Sequence, residues 1–129
     1  TAIGDTTLYN HGDTSNGYRA AREDPDFVNG ETWDGFWNRA TTGLATQAVT
    51  LAQDDAGNTV SYVIHRLCDA TGAPHLTNCS KPPAGANAGG SFSAGGASVI
   101  TTNQVYYRIT TRIVGPRRTV AYIQTIIAL

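Results

Sequence analysis

The last twenty-five residues constrain the fold most. Val105–Val114 reads VYYRITTRIV, Thr119–Leu129 reads TVAYIQTIIAL, and Gly115-Pro116-Arg117-Arg118 stands between them. Two runs rich in Val, Ile, Tyr and Thr on either side of a Gly-Pro turn predict a β-hairpin. The second run carries no charge. An open, uncharged edge strand invites pairing with other chains, so the hairpin is expected inside a sheet with its apolar face covered. Val120, Tyr122, Gln124, Ile126 and Ala128 share one face of the last strand; Ala121, Ile123, Thr125, Ile127 and Leu129 share the other. Both are largely apolar, which predicts a covered, central strand. On the preceding strand, alternation puts Val105, Tyr107, Ile109, Thr111 and Ile113 on an apolar face. Tyr106, Arg108, Thr110 and Arg112 are then expected to face solvent.

A chain of 129 residues is one domain with room for its own core. Charged residues make up only 15%, and Gly, Thr, Ala and Asn are plentiful, a composition expected of a β-rich extracytoplasmic protein. Lys81 is the only lysine; the other basic residues are arginine. The start at Thr1 without Met is taken to mean a segment cut from a longer protein, with any anchor upstream. No apolar run reaches membrane-span length and none resembles a signal peptide. Cys68 and Cys79 form no CxxC pair and no zinc spacing. One disulfide closing a small loop is the simplest reading, worth ~3 kcal/mol by chain entropy. Two free cytosolic thiols are the alternative, disfavoured because each Cys borders loop residues at the end of a strand-like run.

Charge is divided unevenly. Residues 1–55 carry nine acids and three arginines, while residues 56–129 carry Asp69 against five arginines and Lys81. Either the halves serve docking between subunits, or acidic loops fold over a basic sheet within one molecule; the second is favoured. Residues 1–30 are rich in turn signals. Trp33, Phe36, Trp37 and Ala40 then fall at helical spacing, with Gly43 as a stop, predicting a short helix over Trp33–Ala40 whose aromatics anchor a core. TQAVTLAQ over 46–53 and NTVSYVIHRLC over 58–68, joined by a turn at 54–58, predict a second hairpin. Residues 69–103 form a long connection whose Gly/Ala/Ser-rich part, 84–98, is too poor in apolar bulk to build a core. The result is an α+β domain: residues 1–45 supply loops and a short helix, residues 46–129 a four-stranded antiparallel sheet.

Candidate chemistry is sparse. Ser91 and Ser93 sit in GGSFSAGG, which does not fit GxSxG. His11, His65 and His75 have no clustered carboxylate partner in the sequence, and His65, between Val63 and Leu67 on one strand face, reads as a packed residue. GANAGGSFSAGG lacks the GK[ST] ending of a phosphate loop. Asp13 with Asn16, or Asp54 and Asp55 with Asn58, offer oxygen ligands for calcium, but Asx turns explain both without a metal. No enzyme, cofactor or metal site is therefore expected. Arg108 and Arg112, with Tyr106 and the turn residues Arg117 and Arg118, form a candidate surface for nucleic acid; pairing of Arg108 and Arg112 with the acidic first half is the favoured alternative.

YYRITTRIVGPRRTVAYIQTIIAL resembles the C-terminal end of the PilX-type minor pilins, the type IV pilus assembly proteins. These also end in a YRIT-like strand, a Gly-containing turn with Arg and a TV-Y-Q strand. SYVIHRLCD with the second cysteine, Cys79, is similar to the family's first disulfide half and short loop. The resemblance covers Ser61–Cys79 and Val105–Leu129 and is thin elsewhere. It implies a pilin-like fold, with a long N-terminal helix on an antiparallel sheet. Residues 1–28 show no helical stripe, so that helix, with its membrane-spanning part, is expected to be truncated here. It further implies export through the inner membrane of a Gram-negative bacterium and assembly into an extracellular pilus. The implied partners are other minor pilins, the major pilin and a large tip adhesin. The subunit would prime or cap the filament without catalysis. The rival function is a pilus-borne module that contacts DNA or a surface through Arg108, Arg112, Arg117 and Arg118.

Overall fold

A computed structural model describes residues 7–11, 16–83 and 104–129. Among the described residues five strands form one mixed sheet: β1 (Tyr18–Arg19), β2 (Val49–Thr50), β3 (Thr59–Arg66), β4 (Tyr106–Val114) and β5 (Val120–Ala128). The long strands make an antiparallel meander, β3-β4-β5. The two short strands share the other edge of β3: β2 pairs antiparallel at Ser61 and Tyr62, β1 parallel at Ile64 and His65. The α+β class stands, while the expected four antiparallel strands become five with one parallel pair. β1 follows turn-rich sequence and holds only two residues, too few for a visible alternation.

Both predicted hairpins form, but the expected strand over 46–53 is reduced to Val49–Thr50, with Leu44–Thr46 in a 3-10 turn before it. The turn between β2 and β3 is closed by Asp54, whose Oδ1 accepts from the N–H groups of Ala56 and Asn58 at 2.9 and 2.8 Å. That carboxylate is thus occupied by an Asx turn. The β4–β5 connection passes through a 3-10 turn at Pro116–Arg118, where Arg117 and Arg118 both have φ of 61°. This is left-handed backbone that non-glycine residues adopt at a cost of ~1–2 kcal/mol each.

The predicted helix is shorter than its stripe. It runs over Trp33–Trp37 (α1). Thr32 caps it, its hydroxyl accepting from the N–H of Gly35 at 3.1 Å. Ala40 lies beyond it because the chain folds back after Asn38 to bring Gly43 onto the helix end. A Cβ on Gly43 would lie 2.4 Å from the Arg39 carbonyl oxygen and 2.6 Å from that of Trp37, so only glycine fits.

Register fixes two sheet faces. The first carries Ser61, Val63 and His65 of β3, Arg108, Thr110 and Arg112 of β4, and Tyr122, Gln124 and Ile126 of β5. The second carries Val60, Tyr62 and Ile64, then Ile109, Thr111 and Ile113, then Ile123 and Ile127. Phe36, Trp37 and Leu44 pack on Val63 to form the core, flanked by Trp33, Ala48 and Tyr122. The helix therefore covers the first face, the one that alternation assigns to solvent. Arg108 is only 6% exposed and Thr110 is fully buried. The second face is more apolar and less covered. Its β3 and β4 residues are half-buried, and Ile123 on β5 is 54% exposed. Only the end nearest the disulfide is closed, with Arg66, Cys68, Val105 and Tyr107 buried.

The expectation of a covered, central last strand is corrected. β5 is an edge strand, and Val120, Ile126 and Leu129 are 43%, 58% and 62% exposed. Apolar residues on both faces mark burial only where the strand has a neighbour on each side, and among the described residues β5 has one.

Candidate functional site

Arg108 is buried on the first face because two partners take up its charge and its plane. Its Nη1 donates to Asp24 Oδ1 and its Nη2 to the Glu23 carbonyl, both at 2.7 Å. Its guanidinium stacks 4.9 Å from the centre of the Trp33 ring. Asp24 also accepts from Arg22 Nε at 2.8 Å. Burial works against ionisation of Asp24, and the Arg108 and Arg22 bonds overcome it, holding the carboxyl below its usual range. Glu23 accepts from Arg19 Nε at 2.8 Å and faces His65 Nε2 at 3.3 Å. Burial opposes its ionisation too, and the His65 and Arg19 bonds bring it down to about 2. An ionised Glu23 makes His65 Nε2 the protonated nitrogen. His65 itself is pushed down by burial, with Glu23 pulling the other way. It has no exposed surface, and its Nδ1 has no partner among the described residues. No dissolved substrate reaches that ring. The cluster is a strap that fastens residues 22–26 to the sheet.

The four arginines proposed as a binding surface are divided by the fold. Arg108 is under the strap. Arg112 donates to the Tyr122 hydroxyl at 3.1 Å and lies 3.8 Å from Asp34, whose Oδ1 accepts from the same hydroxyl at 2.6 Å. Burial and the Asp34 bond together push the Tyr122 hydroxyl up to about 12. Arg117 and Arg118 are exposed at the β4–β5 turn. The solvent-facing expectation thus fails for Arg108. Acidic segments fold over a basic sheet through Asp24–Arg108 and Asp34–Arg112.

Cys68 and Cys79 are joined by a disulfide and form an isolated antiparallel bridge. Its loop wraps Arg66, which donates to the carbonyls of Ala20, Ala70 and Gly72 at 2.9, 3.3 and 2.7 Å and lies 5.7 Å from the Tyr9 ring centre. The Gly72 N–H donates to the Tyr9 carbonyl at 2.7 Å, and the Tyr18 hydroxyl to that of Leu8 at 2.6 Å. Residues 8 and 9 therefore lie at the closed end of the second face.

Among the described residues no group of three His, Cys, Asp or Glu side chains is placed to hold a metal ion. None of their helices is long and apolar enough to cross a membrane. Ser91, Ser93, Asp13 and the 84–98 stretch lie outside the described residues. The sequence favours pairing of Arg108 and Arg112 with the acidic first half, as found, but does not single out Glu23, Asp24 and His65 as the strap. The one available signal was the acidic REDPD run at 22–26, opposite in sign to the sheet strands.

No protein-family model, no curated protein and no solved structure matches the chain.

Proposed function

We propose that the chain is the ectodomain of a minor pilin, a structural subunit that helps prime or cap a type IV pilus. One observation carries this beyond the sequence resemblance. The domain covers the charged face of its sheet with its own helix, and leaves the more apolar face half-open along β3, β4 and β5. A pilin packs a long N-terminal helix against its sheet, and such a helix would supply the missing cover. Residues 8 and 9 lie at one end of that face, so a segment arriving through them would enter alongside it. In this reading the partners are other minor pilins, the major pilin and a large adhesin, and the site of action runs from the inner membrane to the extracellular filament.

The test is made in the intact gene. Deletion is expected to remove surface pili and twitching motility, and Ile109→Asp on the open face is expected to do the same while the isolated ectodomain still folds. Normal piliation in the deletion strain would reject the proposal.

The second reading, contact with DNA or a surface, narrows to Arg117 and Arg118, since Arg108 and Arg112 are engaged by Asp24 and Asp34. If it holds, changing Arg117 and Arg118 to Ala weakens low-salt DNA binding and Arg112→Ala does not.

A further inference from the structure

The outer edge of β5 is a row of backbone groups with a defined phase. Val105 and Leu129 exchange both backbone hydrogen bonds, each at 3.1 Å, and Gly115 N–H donates to the Thr119 carbonyl at 2.8 Å. In an antiparallel ladder such pairs recur at every second residue. The odd-numbered residues of β5 therefore turn their N–H and C=O groups toward β4. Val120, Tyr122, Gln124, Ile126 and Ala128 turn theirs outward. Across these nine residues there is no Pro, no Gly and no charge. Short strands, charges, bulges and prolines are the usual protections of an edge, and β5 has none.

We propose that this edge is an interface, and that its occupant is β5 of a second copy of the chain, paired antiparallel about a two-fold axis at Gln124. The spacing of the outward groups matches an extended strand, the protein element that can pair with all of them at once. A strand lying here meets exposed Val120 and Ile126 on one face and Ile123 and Leu129 on the other, so it must itself be apolar on both faces. β5 meets that requirement and brings no charge against its copy. With Gln124 opposite Gln124, Tyr122 stands opposite Ile126 and Val120 opposite Ala128. These are outward-facing residues on both strands, so the register gives hydrogen-bonded pairs, among them an aromatic–β-branched pair of the favourable kind. The two-fold axis keeps like faces on one side and joins two copies into one sheet. This proposal is independent of the filament reading. The contact is smaller than the ~1,600 Å² of a standard interface, so the association is weak and concentration-dependent.

The experiment uses the isolated chain with its disulfide intact. Sedimentation equilibrium between about 10 and 500 µM, the range a small interface requires, is expected to show mass rising from 13.6 kDa toward twice that value. Over the same range the backbone amides of Tyr122, Gln124 and Ile126 are expected to exchange about tenfold more slowly, while those of Ile123 and Thr125 stay unchanged. Gln124→Pro removes one outward N–H without touching the ladder to β4, and Ile126→Lys places a charge at the edge. Both are expected to give a monomer, and the second retains the fold if the first does not. A wild-type chain monomeric throughout, or outward amides whose exchange ignores concentration, overturns the proposal and leaves the edge to a strand from another protein. A dimer that persists in Ile126→Lys overturns it as well.

Discussion

On one face of the sheet His65, Arg108 and Thr110 are buried, on the side where the Trp33–Trp37 helix and the Glu23–Asp24 strap pack; on the other, Ile64, Ile109 and Ile113 are only half-covered. Polarity alone predicts the reverse. The difference lies in what each face finds within reach. The arginines meet Asp24, Asp34 and an indole ring, which balance the guanidinium charges and let their stems pack as hydrocarbon, even though Arg108 Nε has no partner among the described residues. The isoleucines need only bulk, and the described chain supplies it at one end alone. Burial of a charged side chain thus follows from specific partners, whereas burial of an apolar one needs area that a small domain can run short of.

The sharpest way to break this contrast is to truncate one large side chain on each face. Trp37→Ala is expected to cost ~3–5 kcal/mol in urea unfolding. Ile109→Ala in the isolated domain should cost only ~1 kcal/mol, because much of that side chain already touches water. Equal losses would mean the second face is covered after all. Replacing Cys68 and Cys79 together with Ser should cost ~3 kcal/mol, and would show how far the closed end of the second face depends on the disulfide loop. Arg108→Met keeps the stem over Trp33 and removes the charge from Asp24. A loss of ~2 kcal/mol is expected, against under ~0.5 kcal/mol for Arg117→Met at the turn. Similar values for the two would show that the strap contributes nothing.

The smallest expected effect is on pH dependence. His65 titrates near 6.5 in the unfolded chain and lower in the fold, so the unfolded state takes up the proton first and stability falls as pH drops below 6.5. Glu23, held at about 2 against its ordinary 4.5, adds a second loss as pH falls from 4.5 toward 2. The Glu23 part amounts to ~1–2 kcal/mol once solvent screening at this partly exposed group is allowed for. A His65→Gln chain, followed by urea midpoints, should show a smaller first decline, His11 being pushed down by burial as well, and a shallower second one, because Glu23 loses its imidazole partner. A wild-type midpoint that is level below 6.5 would contradict the strap's electrostatics.

Much of the fold was legible in the sequence. The Gly-Pro turn between two β-branched runs, the Asp54 turn, the aromatic stripe after Thr32 and the cysteine pair each carry a local signal, and each forms. What was illegible is relational. Alternation along β4 separates Arg108 from Ile109 but does not say which side the helix will take. That choice depends on Asp24 and Asp34, more than seventy residues upstream, meeting Arg108 and Arg112. The apolar character of β5 likewise could not reveal its place in the strand order.

The joint beside the disulfide has a consequence for how this chain tolerates change. Ser80 N–H donates to the Leu67 carbonyl at 2.8 Å, and the Tyr106 N–H donates to the Ser80 carbonyl at 3.0 Å. The chain therefore leaves the sheet just after Ser80 and rejoins it beside the point of departure. The two bonds bring the points of exit and return together, so chain inserted after Lys81 adds a closure cost of only ~0.6 kcal/mol for each doubling of the length between the anchors. An insertion there is expected to leave the urea midpoint of the sheet nearly unchanged.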